Sequence, residues 1–222
     1  MLRLKLREPN NYSPDSAWEA AQAGYHGEVL PLVRTRSPAQ SLADAARRAG
    51  LCVWGWIDTA ADPEHPGHRV NLGNPSDAEW AAGRVRRLVE ACPTLDAYVL
   101  AGLDWTAAPS GPVHPAPPHI AALVGLCEDL VPAFPLVPLL PARAGIGRLS
   151  VPLLPGRRWL GVLMGELPVF QVTEALLALR ELAPQVSLAV AGPGPDAAMA
   201  AAAEAGGAEA LIVTPYRTHG RI

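Results

Sequence analysis

Lysine is almost missing from this chain: Lys5 is the single lysine among eighteen basic residues, and the other seventeen are arginines. Schiff-base chemistry needs a lysine amine, and the one available lies on the first predicted strand, so aldol chemistry of that type is not expected. Cysteine is scarce as well. Cys52, Cys92 and Cys127 stand in no CxxC spacing, and an odd number in a chain with ample core residues reads as reduced, buried thiols of a cytosolic protein. Long apolar runs are missing: "LVPAFPLVPLLPA" is short and carries four internal prolines, so no membrane span is expected. The opening "MLRLKLREPNN" alternates charge with leucine and has no continuous apolar stretch. It does not read as a signal peptide, and the expected location is the cytoplasm. A net charge of −3 with no basic stripe argues against nucleic acid and membrane surfaces as partners.

What is present is apolar and regular. Half of the 222 residues are hydrophobic and 18% are charged, enough for a sizeable core and far from the composition of a disordered chain. Periodicity divides the chain into alternating strands and helices. Strands are expected at 2–8, 28–35, 51–58, 96–102, 134–145, 159–169, 186–192 and 209–216. Helices are expected at 13–23, 38–49, 74–91, 119–131, 171–182 and 196–205. "SPDS" and "SPAQ" open the first two helices with Ser-Pro, Ser13 being the N-cap of the first, and Gly50 stops the second. The fragments "FPLVPLLPARAG" and "RLSVPLLPGRR" are poor strands because proline removes a ladder donor; they read as one irregular fifth strand plus a loop.

Eight nearly continuous apolar strands joined by helices are the pattern of a parallel sheet covered on its outside. The count of eight and right-handed crossovers favour closure into a (β/α)8 barrel. The expectation is one compact domain, 1–222, lacking the last helix, with an oligomer compatible with that gap. An open doubly wound sheet is the alternative, but no GxGxxG follows the first strand.

In such barrels, sites form at the C-terminal ends of the strands. The polar residues expected there are Glu8 after strand one, Arg34 after strand two, Trp54, Trp56 and Asp58 on strand three, Asp104 and Trp105 after strand four, Glu166 after strand six, and Tyr216 after strand eight. Aromatic faces stack on sugar rings, and a carboxylate pair can divide acid from nucleophile or base work. Asp104 and Glu166 each close an otherwise apolar strand away from an obvious N-cap, which makes them the expected catalytic pair. Asp96 precedes its strand, at the opposite end, and reads as structural. Any strand end meets water, and carboxylates there also serve as caps and turn residues.

The stretch 42–105 resembles glycoside hydrolase-like (β/α)8 proteins. The matching features are the helix ending at Gly50 in "ADAARRAGLCVWGWIDTA", Trp54 or Trp56 on the next strand, Asn74-Pro75 before a helix, and Asp96 opening "DAYVLAGLDW". The resemblance implies a carbohydrate or related polar small molecule as ligand and no cofactor. It implies Asp104 as nucleophile or base, Glu166 as general acid, the tryptophans as platforms, and Glu8, Arg34, Asp58 and Tyr216 as contacts. The family's strand-four aspartate falls at Ala101 here, so Asp104 takes that role only through a longer or bulged strand. A barrel that binds without catalysis after losing the strand-four carboxylate is the alternative.

Other signals are weaker. Glu64, His65 and His68 crowd a proline-rich loop with no helix to fix metal geometry, and no metal is expected. "AGPGPD" after strand seven puts glycines at a helix start, where barrels bind phosphate, but Asp196 there opposes an anion. A phosphate-binding isomerase or lyase therefore ranks below the carbohydrate reading. On strand one, Arg3, Lys5 and Arg7 alternate with leucines. Either the cations point into the barrel and need carboxylate partners, or the strand lies exposed at a seam.

Overall fold

The computed structural model describes residues 1–8, 11–34, 38–60, 70–103, 106–108, 111–113, 117–141, 159–163, 169–193 and 197–215. In chain order these form β1 (Leu2–Leu6), α1 (Asp15–Gln22), β2 (Gly27–Pro31), α2 (Ala39–Arg48), β3 (Cys52–Asp58), α3 (Pro75–Ala91) and β4 (Ala97–Ala101). After a short pair, β5 (Thr106–Ala108) and β6 (Gly111–Val113), come α4 (Pro117–Leu130), β7 (Leu136–Pro141), β8 (Trp159–Leu163), α5 (Val169–Leu182), β9 (Ser187–Pro193), α6 (Ala197–Ala205) and β10 (Ala210–Thr214).

Eight of the strands close into a parallel barrel in the order β1-β10-β9-β8-β7-β4-β3-β2. Pairing of Leu2 with Ala210 and of Leu4 with Gly27 joins the first strand to both the last and the second. This is the expected (β/α)8 architecture, with one departure among the described residues. The six helices present there fall on the six expected ranges, and the fragment 148–158 lies outside those residues. The segment 106–118, expected to be a loop, contains the antiparallel β5–β6 hairpin. Period-2 reasoning missed it because each arm is three residues long.

Local signals place the helices as the sequence suggests. Gly50 follows α2 at φ +79, a left-handed conformation that costs glycine little. Asn74 caps α3 through its side chain, which accepts from the Ser76 N–H at 3.1 Å, with Pro75 in the first turn. Pro14, where Ser13 was expected, is the N-cap of α1 and gives it no side-chain cap; the Ser13 hydroxyl, one residue earlier, accepts from the Asp15 N–H at 3.3 Å.

Alternation along the strands separates two cores. One fills the barrel lumen and includes Leu4, Leu6, Trp54, Trp56, Val99, Leu139 and Ile212, with Ala97, Ala101, Ala189, Ala191 and Ala210. The other lies between strands and helices and includes Leu30, Ile57, Tyr98, Leu100, Leu123 and Leu176. Tyr98 stands edge-on to Phe134 at 5.7 Å and donates its hydroxyl to the Cys92 carbonyl. Burial, followed by the Cys92 thiol nearby, pushes its phenol well above the ordinary range, so it is a neutral donor at any working pH.

The leucines of β1 take the lumen, so Arg3, Lys5 and Arg7 face outward. The inward arrangement of three cations is overturned: strand pairing leaves one parity for the lumen, and filling it with leucine costs no desolvated charge. Arg7 is nevertheless 2% exposed and meets Glu28, itself fully buried, at 2.6 Å. A second guanidinium nitrogen of Arg7 donates to the Ser13 carbonyl at 2.7 Å, and the Ser16 hydroxyl donates to Glu28 at 3.4 Å. This pair pins α1 to β1 and β2.

Breaking one member of a buried pair leaves an uncompensated charge. Glu28→Gln is expected to lower stability by ~3–5 kcal/mol in urea unfolding, and Arg7→Met with Glu28→Leu together by less than Glu28→Gln alone. Trp56→Ala, which opens a cavity in the lumen, is expected to cost ~3–5 kcal/mol by the same assay.

Candidate functional site

The C-terminal mouth is organised by β3 and β4. Asp58 ends β3 with the parity of Trp54 and Trp56, which belong to the lumen, and pairs in register with Ala101 at the end of β4. The carboxylate missing at Ala101 therefore has a counterpart at the same level on the neighbouring strand.

Asp58 is half-buried, and its Oδ1 accepts from the Ala60 N–H at 2.9 Å. This is an Asx-type turn, in which the side chain completes the loop that follows the strand. Thr59 ties that loop to β4, its amide and its hydroxyl both donating to the Ala101 carbonyl at 2.9 and 2.8 Å. From the outside, Arg84 of α3 donates to the Asp58 carbonyl at 2.7 Å and to the Val33 carbonyl at 3.4 Å. The backbone around Asp58 is thus held from two sides.

Gly102 makes room for the carboxylate. Its φ is +76, and a Cβ there would lie 2.3 Å from Asp58 Oδ1 and 2.8 Å from the Ala60 nitrogen. Only glycine meets both demands. Thr214, fully buried at the end of β10, shares the lumen parity with Ile212 and Ala210.

The other expected residues are distributed as follows. Glu8 is exposed just beyond β1, with the lumen parity of Leu4 and Leu6. Arg34 is exposed beyond β2, on the parity of Leu30 and Leu32, which pack against the helices. Trp56 is buried in the lumen at 4% exposure, in the pairing position beside Val99 and Pro31. Trp54, equally buried, lies nearer the N-terminal end, where it lines a cavity on the opposite side of the barrel. Asp104, Trp105, Glu166 and Tyr216 lie outside the described residues, as do Glu64, His65, His68 and Asp196. Among the described residues, no three His, Cys, Asp or Glu side chains group closely enough to hold a metal ion. Also among them, no helix is long and apolar enough to cross a membrane.

Asp96 takes the structural place expected of it: its Oδ2 accepts from the Val53 N–H at 2.6 Å, at the N-terminal end of β3. Gly102, Thr59 and Arg84 were not singled out from the sequence. A glycine directly after "AYVLA" was the one available signal, since a strand that ends on glycine marks a close approach or a turn.

No family model matches the chain, and no curated protein matches it in sequence. Solved structures do match. A Streptococcus agalactiae protein assigned as the copper homeostasis protein CutC superposes with a TM-score of 0.64 at 15% identity, over 96% of this chain and 98% of that one. A Bacteroides thetaiotaomicron protein assigned as an alpha-L-fucosidase gives 0.60 at 9% identity, over 96% and 84%. A Toxoplasma gondii protein assigned as a deoxyribose-phosphate aldolase gives 0.59 at 14%, over 97% and 90%. The likeness is one of fold. The glycoside hydrolase-like resemblance is thereby narrowed to the barrel it shares with proteins of several assignments.

Gly102→Ala is the direct check on this geometry. The positive φ alone costs ~1–2 kcal/mol for a residue with a Cβ, and the contact with Asp58 adds to it. A loss of about 2 kcal/mol or more in denaturant unfolding is expected; unchanged stability would mean that the Asp58 turn does not depend on the close approach.

Proposed function

We propose that this chain is a small-molecule-binding barrel whose C-terminal mouth takes a polar, hydroxyl-rich ligand of the carbohydrate class, with Asp58 as a binding carboxylate. The observation that carries the reading is the place of Asp58: at the mouth, half-buried, on the lumen parity, held by Ala60, Thr59 and Arg84. A carboxylate accepts from vicinal hydroxyls through several lone pairs, and a fixed carboxylate does so without first losing side-chain freedom. Glycoside hydrolysis is the reaction we assign to such a site, with Asp104 as nucleophile or base and Glu166 as general acid. Glu8, Arg34, Trp105 and Tyr216 complete the proposed rim. Trp56 lies beneath it and supports the floor.

Schiff-base aldol chemistry finds no support in this chain. Lys5, the single lysine, lies on β1 between Leu4 and Leu6, which occupy the lumen, so its side chain leaves from the outer face.

Ligand screening by thermal shift tests the reading, because a ligand that binds only the folded state raises Tm. Monosaccharides and aryl glycosides are expected to raise it, and Asp58→Asn to weaken the binding by roughly tenfold or more, the worth of a hydrogen bond to a charged group. Release of nitrophenol from aryl glycosides is expected from the wild type and lost in Asp104→Asn and Glu166→Gln. Stabilisation by inorganic phosphate with no response to any sugar would replace this reading with a phosphate site.

A further inference from the structure

The opposite end of the barrel carries a cavity of about 620 Å³. That is within the size range of small-molecule sites, on the face of the fold normally given over to stability. Its walls include Trp54, Trp159, Tyr25, Cys52, His26 and Asp96.

The two indoles form a corner. Their ring centroids are 5.4 Å apart and their planes meet at 78°, so they present aromatic surface in two nearly perpendicular directions. Trp54 is buried in the lumen core and closes the barrel from below, while Trp159 is half-buried. Among the described residues of the cavity wall, Asp96 is the one with a full charge, and it is exposed. Its Oδ2 holds the Val53 N–H, and Oδ1 meets no donor among the described residues. His26 accepts from the Arg3 N–H through Nδ1. Burial, followed by the Asp96 carboxylate, pushes the Cys52 thiol up, so Cys52 adds no charge. Arg3 lies over the Tyr25 ring at 5.6 Å but is on the outer parity of β1 and outside the cavity wall. That contact shows the aromatic surface of this end of the molecule already receiving a cation.

Aromatic faces and one carboxylate, with no opposing cation among the described residues of the wall, define a chemistry. We infer that the N-terminal cavity binds an organic monocation, a quaternary or protonated amine on an apolar body, between the Trp54–Trp159 corner and the Asp96 carboxylate. The indole quadrupoles attract the cation at their faces. The carboxylate supplies the counter-charge, and the apolar wall takes the body of the ligand. Cys52 borders this space as a bystander that reports on its occupancy.

Choline and its uncharged carbon isostere, 3,3-dimethylbutan-1-ol, distinguish this site from a plain apolar hole. Calorimetric titration is expected to show saturable choline binding at least tenfold tighter than the alcohol. Asp96→Asn keeps an amide oxygen for the Val53 N–H and is expected to bring choline down to the affinity of the alcohol, and Trp159→Leu to weaken both. On the wild-type protein, choline is expected to slow alkylation of Cys52 by iodoacetamide, followed by mass spectrometry, since Cys92 and Cys127 are buried. Asp58→Asn should leave all of this unchanged, which separates the inference from the reading of the mouth. Equal affinity for the two probes, binding of neither, or choline binding without protection of Cys52 would overturn it.

Discussion

The barrel stands or falls on how its lumen is filled. A closed sheet of eight parallel strands leaves an interior that side chains have just enough room to occupy, and an interior void forfeits contacts from every wall. This chain meets that demand unevenly. Trp54 and Trp56 come from a single strand, and the neighbouring β4 answers with Ala97 and Ala101, the strands across the lumen with Ala189, Ala191 and Ala210. Large residues on β3 require small ones elsewhere, so the tryptophans and the alanines form one packing arrangement. The same parity that sends the tryptophans inward carries Asp58 to the mouth at the far end of β3, and Cys52 to the cavity at the near end.

The outward parity is equally constrained. With leucine committed to the lumen on β1, the basic residues of that strand have to be accommodated among helices. Arg7 manages this through Glu28 and two main-chain carbonyls. Arg3 stacks on Tyr25. Inward-facing cations would have changed the electrostatics of the mouth, since a cation beneath a carboxylate lowers its pKa. Their outward course leaves the mouth without that influence, and the chemistry there depends on the groups of the rim itself.

Much of the fold was legible because two periods alternate cleanly. Apolar strands such as "AYVLA" and "ALIVT" are continuous, as parallel strands buried on both faces must be, and Gly50 and Asn74-Pro75 mark their helix ends by known backbone preferences. The hairpin at 106–113 was illegible because three-residue strands carry no measurable period and its prolines argue against strand. The direction of β1 was illegible for another reason: strict alternation names two faces but not which one is inner. Only pairing with β2 and β10 decides that. The candidate site was less legible still. Asp58 was picked out as one of several strand-end carboxylates, but its partnership with Gly102 and Ala101 arises from register between strands, which is tertiary information. Trp54 was expected as a platform at the mouth. Two residues earlier on the same face than Trp56, it lies about 7 Å further down the strand, far enough to belong to the other end.

That separation bears on how the two ends divide their work. Asp58 and Asp96 sit at opposite ends of the same strand pair, one ending β3 and one preceding β4, and each holds a backbone amide with one oxygen. At Asp96, structural use of one oxygen does not consume the carboxylate, whose other lone pairs meet no donor among the described residues. It also fixes the direction in which they point. Preorganisation of this kind lowers the entropy lost on binding, so a capping role and a ligand role reinforce one another at both positions. At the mouth the carboxylate stands where the polar rim is proposed, which suits hydroxyls. At the base it shares a cavity wall with indoles and no second charge among the described residues, which suits a cation. One strand pair, with tryptophan packed between its two ends, thus presents the same functional group to two different chemical settings.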